Sequence, residues 1–235
     1  MAVRLVYPPR CTLCGVPVAD DFGLCGACWR DTPFITGLAC DLCGTPLPGE
    51  SKGVVHCDDC LSIARPWARG RAALRYEANG RRLVLALKHG DRHDVARPAG
   101  KWLARAAAPL LAPGTILAPV PLHWLRLVTR RFNQSALLAQ ALARETGLML
   151  VPDLLVRSRH TQSLKGLDRS ARHATLDGAI RDNPRHNATL RGAHVILVDD
   201  VMTSGATLSA ATQAAYAGGA EEVCILALAR AGKEA

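Results

Sequence analysis

The chain has 235 residues, 49% of them hydrophobic, and a formal net charge of +9. This composition is that of a globular protein with one large domain or two smaller ones. No apolar run approaches the roughly 18 residues of a membrane span. The start, MAVRLVYPPRC, lacks a hydrophobic segment of signal-peptide length. We therefore expect a cytoplasmic protein without membrane insertion.

The first part of the chain is rich in cysteine. Eight of the nine cysteines form four Cys-x-x-Cys pairs within the first sixty residues: Cys11/Cys14, Cys25/Cys28, Cys40/Cys43 and Cys57/Cys60. This spacing predicts two structural Zn²⁺ sites with four cysteine ligands each. Sequential pairing closes the shortest loops, but a cross-braced pairing, or His56 in place of a neighbour, is also compatible with the spacing. The ninth cysteine, Cys224, lies in the apolar run VCILALA and is expected to be a buried hydrophobic residue.

The charge is distributed unevenly. Residues 1–60 contain four Lys or Arg and seven Asp or Glu, whereas the rest of the chain contains 25 basic and 13 acidic residues. The second part therefore has a net charge of +12, which favours partners that carry phosphate groups. Zinc-bound thiolates would make the first part still more negative.

Three segments follow from these patterns. Residues 1–62 are expected to form a small zinc module, which cannot bury much apolar surface and depends on metal for stability. Residues 63–72 form an Arg-rich connection. Residues 73–235 alternate short apolar runs with helical periodicity, which predicts an α/β domain with a mainly parallel sheet.

The predicted elements of this domain follow the apolar pattern. The predicted strands are Ala73–Tyr76, Thr115–Val120, Leu154–Arg157, Val195–Val198 and Val223–Ala229. The predicted helices are Arg81–Lys88, Val95–Leu111, Gln134–Thr146, Arg169–Leu176 and Ala206–Tyr216.

The stretch Val195–Leu208, VILVDDVMTSGATL, predicts a ligand site. A buried strand of a parallel sheet presents its last residues, here Asp199 and Asp200, at the edge where ligands bind. The loop after it contains Gly and hydroxylated residues, which suit a phosphate group at a helix N-terminus. A sugar phosphate whose hydroxyls donate to the carboxylates fits both parts. Two alternatives are a plain helix cap and a Mg²⁺-binding strand of a nucleoside triphosphatase, but the chain has no G-x-x-x-x-G-K-[ST] loop.

This stretch resembles the phosphoribosyl-pyrophosphate (PRPP) motif of type I phosphoribosyltransferases. Together with the four cysteine pairs, three more segments are arranged as in the ComF family. They are LALKHG (85–90), PVPLHWLRLVTRRFNQSALLAQALA (119–143) and LVRSRHTQSLKGLDRSARHATLDGAI (155–180). The resemblance implies an α/β, type I phosphoribosyltransferase fold with a mainly parallel central sheet, preceded by a double zinc ribbon.

The resemblance also implies residue roles. Asp199 and Asp200 would bind the ribose hydroxyls near the reacting carbon, and Arg159 in a flexible loop (157–165) would reach the pyrophosphate. The remaining implied ligand-binding residues are Thr203, Ser204, Gly205, Ala206 and Thr207 for the 5′-phosphate, Pro121, Leu122 and His123 in the pyrophosphate loop, and Lys88, Arg130 and Arg131. The chain departs from the family at Arg131, where Gly is usual, and at Leu164 and Thr175, where Gln and Asn are common.

Two functions are compatible with the resemblance. The first is transfer of phosphoribosyl from PRPP, with Mg²⁺, to an unknown acceptor, in competence-related DNA uptake or in nucleotide metabolism. The alternative is a non-catalytic protein that handles single-stranded DNA, with DNA-uptake proteins as partners. DNA would then bind the basic domain in a salt-dependent way, because four Trp, three Tyr and three Phe are too few for an extended base-stacking platform.

Overall fold

The computed structural model describes residues 8–19, 23–89, 92–122, 132–158, 175 and 178–232. In its first part, two Cys-rich units follow one another, and the described residues of each contain one short antiparallel bridge and one five-residue helix. The bridges are Arg10↔Pro17 and Ala39↔Pro46, and the helices are α1 (Gly26–Arg30) and α2 (Asp58–Ser62). Each helix begins directly after the third cysteine of its unit, Cys25 or Cys57. The regular structure of these units is therefore built around the cysteines.

The rest of the chain forms a central parallel sheet and a small antiparallel pair. The strands are β1 (Arg69–Arg75), β2 (Ile116–Pro119), β3 (Met149–Leu150), β4 (Leu155–Arg157), β5 (Ile180–Asp182), β6 (His194–Met202) and β7 (Glu222–Arg230). The central sheet has the order β1-β7-β6-β2-β3, and β4 pairs with β5. Because β6 and β7 lie inside the sheet and are covered on both faces, most of their residues are buried and apolar.

Among the described residues, five helices accompany these strands. They are α3 (Ala78–His89), α4 (Ala96–Ala107), α5 (Gln134–Thr146), α6 (Asn187–Leu190) and α7 (Ala206–Ala217). Helix α5 has the bounds that the sequence predicts, since the Asn133 side chain caps its first turn and Gly147 ends it at φ +72°. Helix α4 is shorter than predicted and is followed by a 3₁₀ turn at Ala108–Leu110, because Pro109 has no N–H to continue the helix.

The two faces of the sheet have different covers. Ile196, Val198 and Leu226 face the apolar sides of α3, α4 and α5. Val195, Leu197 and Ile225 face α7 and the second Cys-rich unit. That unit approaches β1 so closely that a Cβ on Gly70 would lie 2.4 Å from the carbonyl oxygen of Leu42. The second Cys-rich unit is thus part of the layer that covers the sheet.

Some predicted elements differ from the observed ones. The strand predicted at Ala73–Tyr76 begins earlier, at Arg69. The prediction missed this start because arginines interrupt the apolar pattern of the strand. The strand predicted at Leu154–Arg157 exists, but it pairs antiparallel with β5, outside the central sheet. Strands β3 and β5 have only two and three residues, so they carry no periodic signal. The predicted helix Arg169–Leu176 lies outside the described residues, apart from Thr175.

Within the described ranges, no helix is both long and apolar enough to span a membrane. The boundaries 1–62, 63–72 and 73–235 stay a prediction, although β1 begins inside the predicted connection.

Candidate functional site

A cleft of about 580 Å³ opens at the carboxyl edge of the central sheet. It is bordered by the ends of β1, β2, β4 and β6 and by the helices that begin or end beside them. Its volume is in the range of small-molecule sites. In a parallel sheet, this edge is where ligands bind. We refer to it below as the sheet-edge cleft.

The two carboxylates of the cleft belong to strand β6 itself. Pairing with β7 continues through Met202, so Asp199 and Asp200 lie within the strand and before the loop. Successive side chains of a strand point to opposite faces. Asp199 Oδ1 accepts hydrogen bonds from Ser135 Oγ and from the N–H of Asp200, both at 2.9 Å, while Asp200 Oδ2 lies 3.0 Å from Lys88 Nζ. Different partners on the two sides therefore accommodate the adjacent charges.

The environment of Asp199 disfavours its charged form. Burial, and then the charge of Asp200, raise the pKa of Asp199 to about 7. The charge of Lys88 and the hydrogen bonds from Ser135 and Asp200 act in the opposite direction. A raised pKa beside a second carboxylate is a property that functional sites often have.

The 203–207 segment connects β6 to α7 and lines the same cleft. Gly205 caps α7 at φ +84°, a conformation that a residue with a Cβ rarely adopts. The N–H of Ala206 donates to Ser204 Oγ at 3.4 Å. The segment therefore brings hydroxyl groups and the N-terminus of a twelve-residue helix to the cleft, which together can bind an anion.

The structure brings most of the predicted site residues together. The predicted site residues that line the cleft are Lys88, Pro121, Leu122, Asp199, Asp200, Thr203, Ser204, Gly205, Ala206 and Thr207. Arg157, at the end of β4 and at the start of the predicted flexible loop, lines it as well. His123, Arg130, Arg131 and Arg159 lie outside the described residues.

Sequence reasoning missed several residues of the cleft. Ser135 holds Asp199, and Tyr76 and Arg81 line the cleft beside β1. The neighbouring Gln134 is 2% exposed, and its Nε2 has no hydrogen-bond partner among the described residues. Only the topology could have pointed to these residues. Ser135 lies in the first turn of the helix that follows β2, and Tyr76 directly follows β1.

The eight paired cysteines form two groups in sequential order: Cys11, Cys14, Cys25 and Cys28, and then Cys40, Cys43, Cys57 and Cys60. Within each group, all sulfur atoms lie within 4.8 Å of one another. The Sγ atoms of Cys14 and Cys25, and those of Cys43 and Cys57, are 3.6 Å apart. Tetrahedral Zn–S bonds of about 2.3 Å place sulfurs about 3.8 Å apart. Both groups therefore fit structural Zn²⁺, and His56 belongs to neither.

Comparison with known families gives two matches along the chain. Residues 2–61 match the double zinc ribbon domain, and residues 133–235 match the phosphoribosyl transferase domain.

The most similar relatives include proteins of DNA use and competence. The chain is 32% identical to the DNA utilization protein YhgH of Salmonella typhimurium, over 96% of this chain and 99% of that protein. It is 28% identical to Competence protein F of Haemophilus influenzae, over 89% and 91%, and 28% identical to Competence protein ComFC of Bacillus subtilis, over 80% and 75%. The chain belongs to the ComF family and combines a double zinc ribbon with a type I phosphoribosyltransferase fold. The predicted family and fold class are confirmed.

Proposed function

We propose that the sheet-edge cleft binds PRPP. The observation that carries the proposal is that Asp199, Asp200 and the 203–207 segment line one cleft of about 580 Å³. In this arrangement the carboxylates accept hydrogen bonds from the ribose hydroxyls, and the 203–207 segment holds the 5′-phosphate. The pyrophosphate lies toward Pro121 and Leu122. His123, Arg130, Arg131 and Arg159 are proposed to complete this side.

The charges of the cleft suit such a ligand. Lys88 lies beside Asp200 at 3.0 Å, so one cation and two carboxylates surround the position proposed for the ribose. Hydroxyl donors from the ribose would stabilise the ionised form of Asp199, whose pKa is raised to about 7, first by burial and then by the charge of Asp200. The phosphate groups are proposed to bind away from this pair, at the helix N-terminus and at basic side chains.

If a reaction follows, it is transfer of the phosphoribosyl group to a nitrogen nucleophile. The bond from the anomeric carbon to pyrophosphate breaks, the nucleophile forms a bond to the same carbon, and the nucleophile's proton is lost to the surroundings. Bound Mg²⁺ would neutralise charge on the leaving pyrophosphate. Asp199 and Asp200 would stabilise positive charge that develops on the ribose, while Arg159 would hold the leaving group.

The test is binding, followed by turnover. Calorimetric titration of PRPP with Mg²⁺ should show binding to the wild type, and the affinity should fall about tenfold or more in Asp200→Asn. Asp31→Asn is the control, because that carboxylate is exposed beside Arg30. Absence of wild-type binding, or equal affinity in Asp200→Asn, refutes the PRPP site. Release of pyrophosphate in the presence of candidate nitrogen acceptors then tests catalysis.

A second candidate function is binding of single-stranded DNA, which is favoured by the net charge of +12 on residues 61–235. The names of the relatives, DNA utilization protein and Competence protein, support a role in DNA uptake, with uptake proteins as partners. Binding of this kind should weaken steeply with salt. A flat dependence of log affinity on log salt refutes it. We place both activities in the cytoplasm, where reducing conditions keep zinc-binding thiols available.

A further inference from the structure

Two residues of the predicted Arg-rich connection, Arg65 and Trp67, contact the 203–207 segment. Neither is a zinc ligand or a proposed PRPP-binding residue. Arg65 donates a hydrogen bond from its Nη1 to the carbonyl oxygen of Ser204 at 2.8 Å. The ring of Trp67 packs closely against Gly205. A Cβ on that glycine would lie only 2.9 Å from Trp67 Cη2. The Arg65 guanidinium carbon is 5.4 Å from the centroid of the same ring, so the two side chains support each other.

Trp67 also contacts the second Cys-rich unit. It belongs to the same buried cluster as Cys40, Cys43 and Cys60, three cysteines of the second group. The indole N–H of Trp67 donates to the carbonyl oxygen of Leu42 at 2.5 Å, and Leu42 lies between Cys40 and Cys43. Trp67 is only 2% exposed. Trp67 therefore bridges the second cysteine group and the backbone of the 203–207 segment, and Arg65 is linked to that group through the Trp67 ring.

A third residue acts in parallel from the end of β7. Arg230 is buried and donates from Nη1 to the carbonyl oxygens of Met202 at 3.2 Å and Thr203 at 3.0 Å. Arg230 therefore holds the start of the 203–207 segment from the side of β7.

The first cysteine group makes different contacts. Among the described residues, Asn79 Nδ2 donates a hydrogen bond to the carbonyl oxygen of Cys28 at 3.3 Å. Arg92 Nη2 donates one to the carbonyl oxygen of Thr12 at 3.0 Å. These links end at α3 and just before α4. In the part of the chain that the structure describes, no hydrogen bond joins the first group to the 203–207 segment.

We propose that Arg65 and Trp67 are positioning residues of the 203–207 segment and that they make its conformation depend on the second zinc site. Zinc at Cys40, Cys43, Cys57 and Cys60 fixes the carbonyl of Leu42, which lies between two of these ligands. That carbonyl fixes Trp67, whose ring supports Arg65, and the two side chains hold the turn at Ser204 and Gly205. The first zinc site has no such effect. The consequence for PRPP affinity rests on the function proposed above, whereas the effect on the segment itself does not.

Hydrogen exchange of the backbone amides at 204–207, measured without ligand, tests the positioning directly. Arg65→Ala should speed exchange there about tenfold, because a charge-assisted hydrogen bond is lost, while the zinc content stays at two per chain. Trp67→Phe, which removes the bond to Leu42 and the Cη2 contact at Gly205 but keeps one aromatic ring, should speed exchange in the same direction. Arg191→Ala is the control, since Arg191 is exposed and precedes β6 at the opposite edge of the sheet.

The two zinc sites provide a second comparison. Cys60→Ser should speed hydrogen exchange of the 204–207 amides, and adding Arg65→Ala to this variant should speed it little further. Cys14→Ser should leave the exchange of those amides unchanged. Unchanged exchange in Arg65→Ala, or equal loosening by the two cysteine variants, would overturn the proposal. PRPP affinity, measured on the same variants, should fall about tenfold in Arg65→Ala. If the wild type does not bind PRPP, the proposed function fails, and the exchange data still decide the positioning.

Discussion

The ammonium group of Lys88, in the last turn of α3, lies 3.0 Å from a carboxylate oxygen of Asp200 on β6. Both side chains are largely buried, with 25% and 9% of their surface exposed. The pair places a fixed positive charge beside two adjacent carboxylates, and this charge also lowers the pKa of Asp199. Lys88 is therefore part of the electrostatic balance of the cleft, in addition to its proposed role toward the ligand.

We predict that Lys88→Met raises the pKa of Asp199 above its value of about 7. The reason is that burial and the charge of Asp200 remain, while the opposing charge of Lys88 is lost. Carbon-13 NMR titration of the aspartate carboxyl groups measures the change. Lys101→Met is the matched control, because Lys101 is exposed on α4 and does not line the cleft. A pKa of Asp199 that is equal in the two variants contradicts the prediction.

The raised pKa of Asp199 also makes stability depend on pH. Because the folded pKa of about 7 exceeds the ordinary value of 3.8, the folded protein binds this proton more tightly than the unfolded chain. The free energy of unfolding should therefore fall as the pH rises from about 4 to 7 and level off above that. We predict that Asp199→Asn raises the Tm at pH 8 by a few degrees, since about 1 kcal/mol corresponds to about 2–4 °C at this size.

Thermal unfolding of Asp199→Asn and wild type at pH 8 and pH 4.5 tests this prediction. At pH 4.5, Asp199 is protonated in most wild-type molecules, so the two proteins should have similar Tm values. A stabilisation of equal size at both pH values would show that the amide acts through packing and would contradict the electrostatic explanation.

The sequence predicted the central elements better than the edges of the fold. Strand β7 and helix α5 have strong apolar patterns or clear caps, and their predicted positions were close to the observed ones, whereas β6 runs to Met202, four residues beyond its predicted end at Val198. Strand β1 starts earlier than predicted because its residues alternate with arginines. Strand β5 has three residues and depends entirely on its pairing with β4. Local pattern alone cannot locate such elements.

The candidate site shows the same limit. The motif of β6 and the 203–207 segment is contiguous in the sequence, so its clustering could be predicted. Ser135 is 64 residues from Asp199, and Arg65 is 139 residues from Ser204. Those contacts depend on which helix starts beside which strand, and the sequence does not encode that in any local pattern. No site contact was therefore predicted for the Arg-rich connection, although Arg65 and Trp67 contact the 203–207 segment.

Metal analysis should give two zinc ions per chain, and His56→Ala should leave this number unchanged. The reason is that both groups of four sulfurs are complete without His56. Cys57→Ser is the comparison variant and should lower the content toward one. Cobalt substitution adds a second measurement, because four thiolate ligands give charge-transfer bands that a histidine ligand would alter. A loss of zinc in His56→Ala would mean that the second site uses this histidine.

Gly205→Ala should impair the 203–207 segment through two separate effects. The backbone at this position has φ +84°, where a Cβ costs roughly 1–2 kcal/mol. The Cβ would also lie 2.9 Å from Trp67 Cη2 and 3.1 Å from Arg65 Nη1, so the turn must shift. We therefore predict that Gly205→Ala lowers the Tm and weakens PRPP binding about tenfold or more.

Gly192→Ala separates these two effects. Gly192 has φ +70°, but a Cβ there meets no atom within 4 Å, and it precedes β6 at the other edge of the sheet. This control carries the backbone strain without the clash, so its Tm should fall less and its PRPP affinity should match the wild type. Differential scanning calorimetry and titration with PRPP and Mg²⁺ measure both quantities. If Gly205→Ala binds PRPP as tightly as Gly192→Ala does, the close packing of Trp67 and Arg65 against this turn has no part in ligand binding.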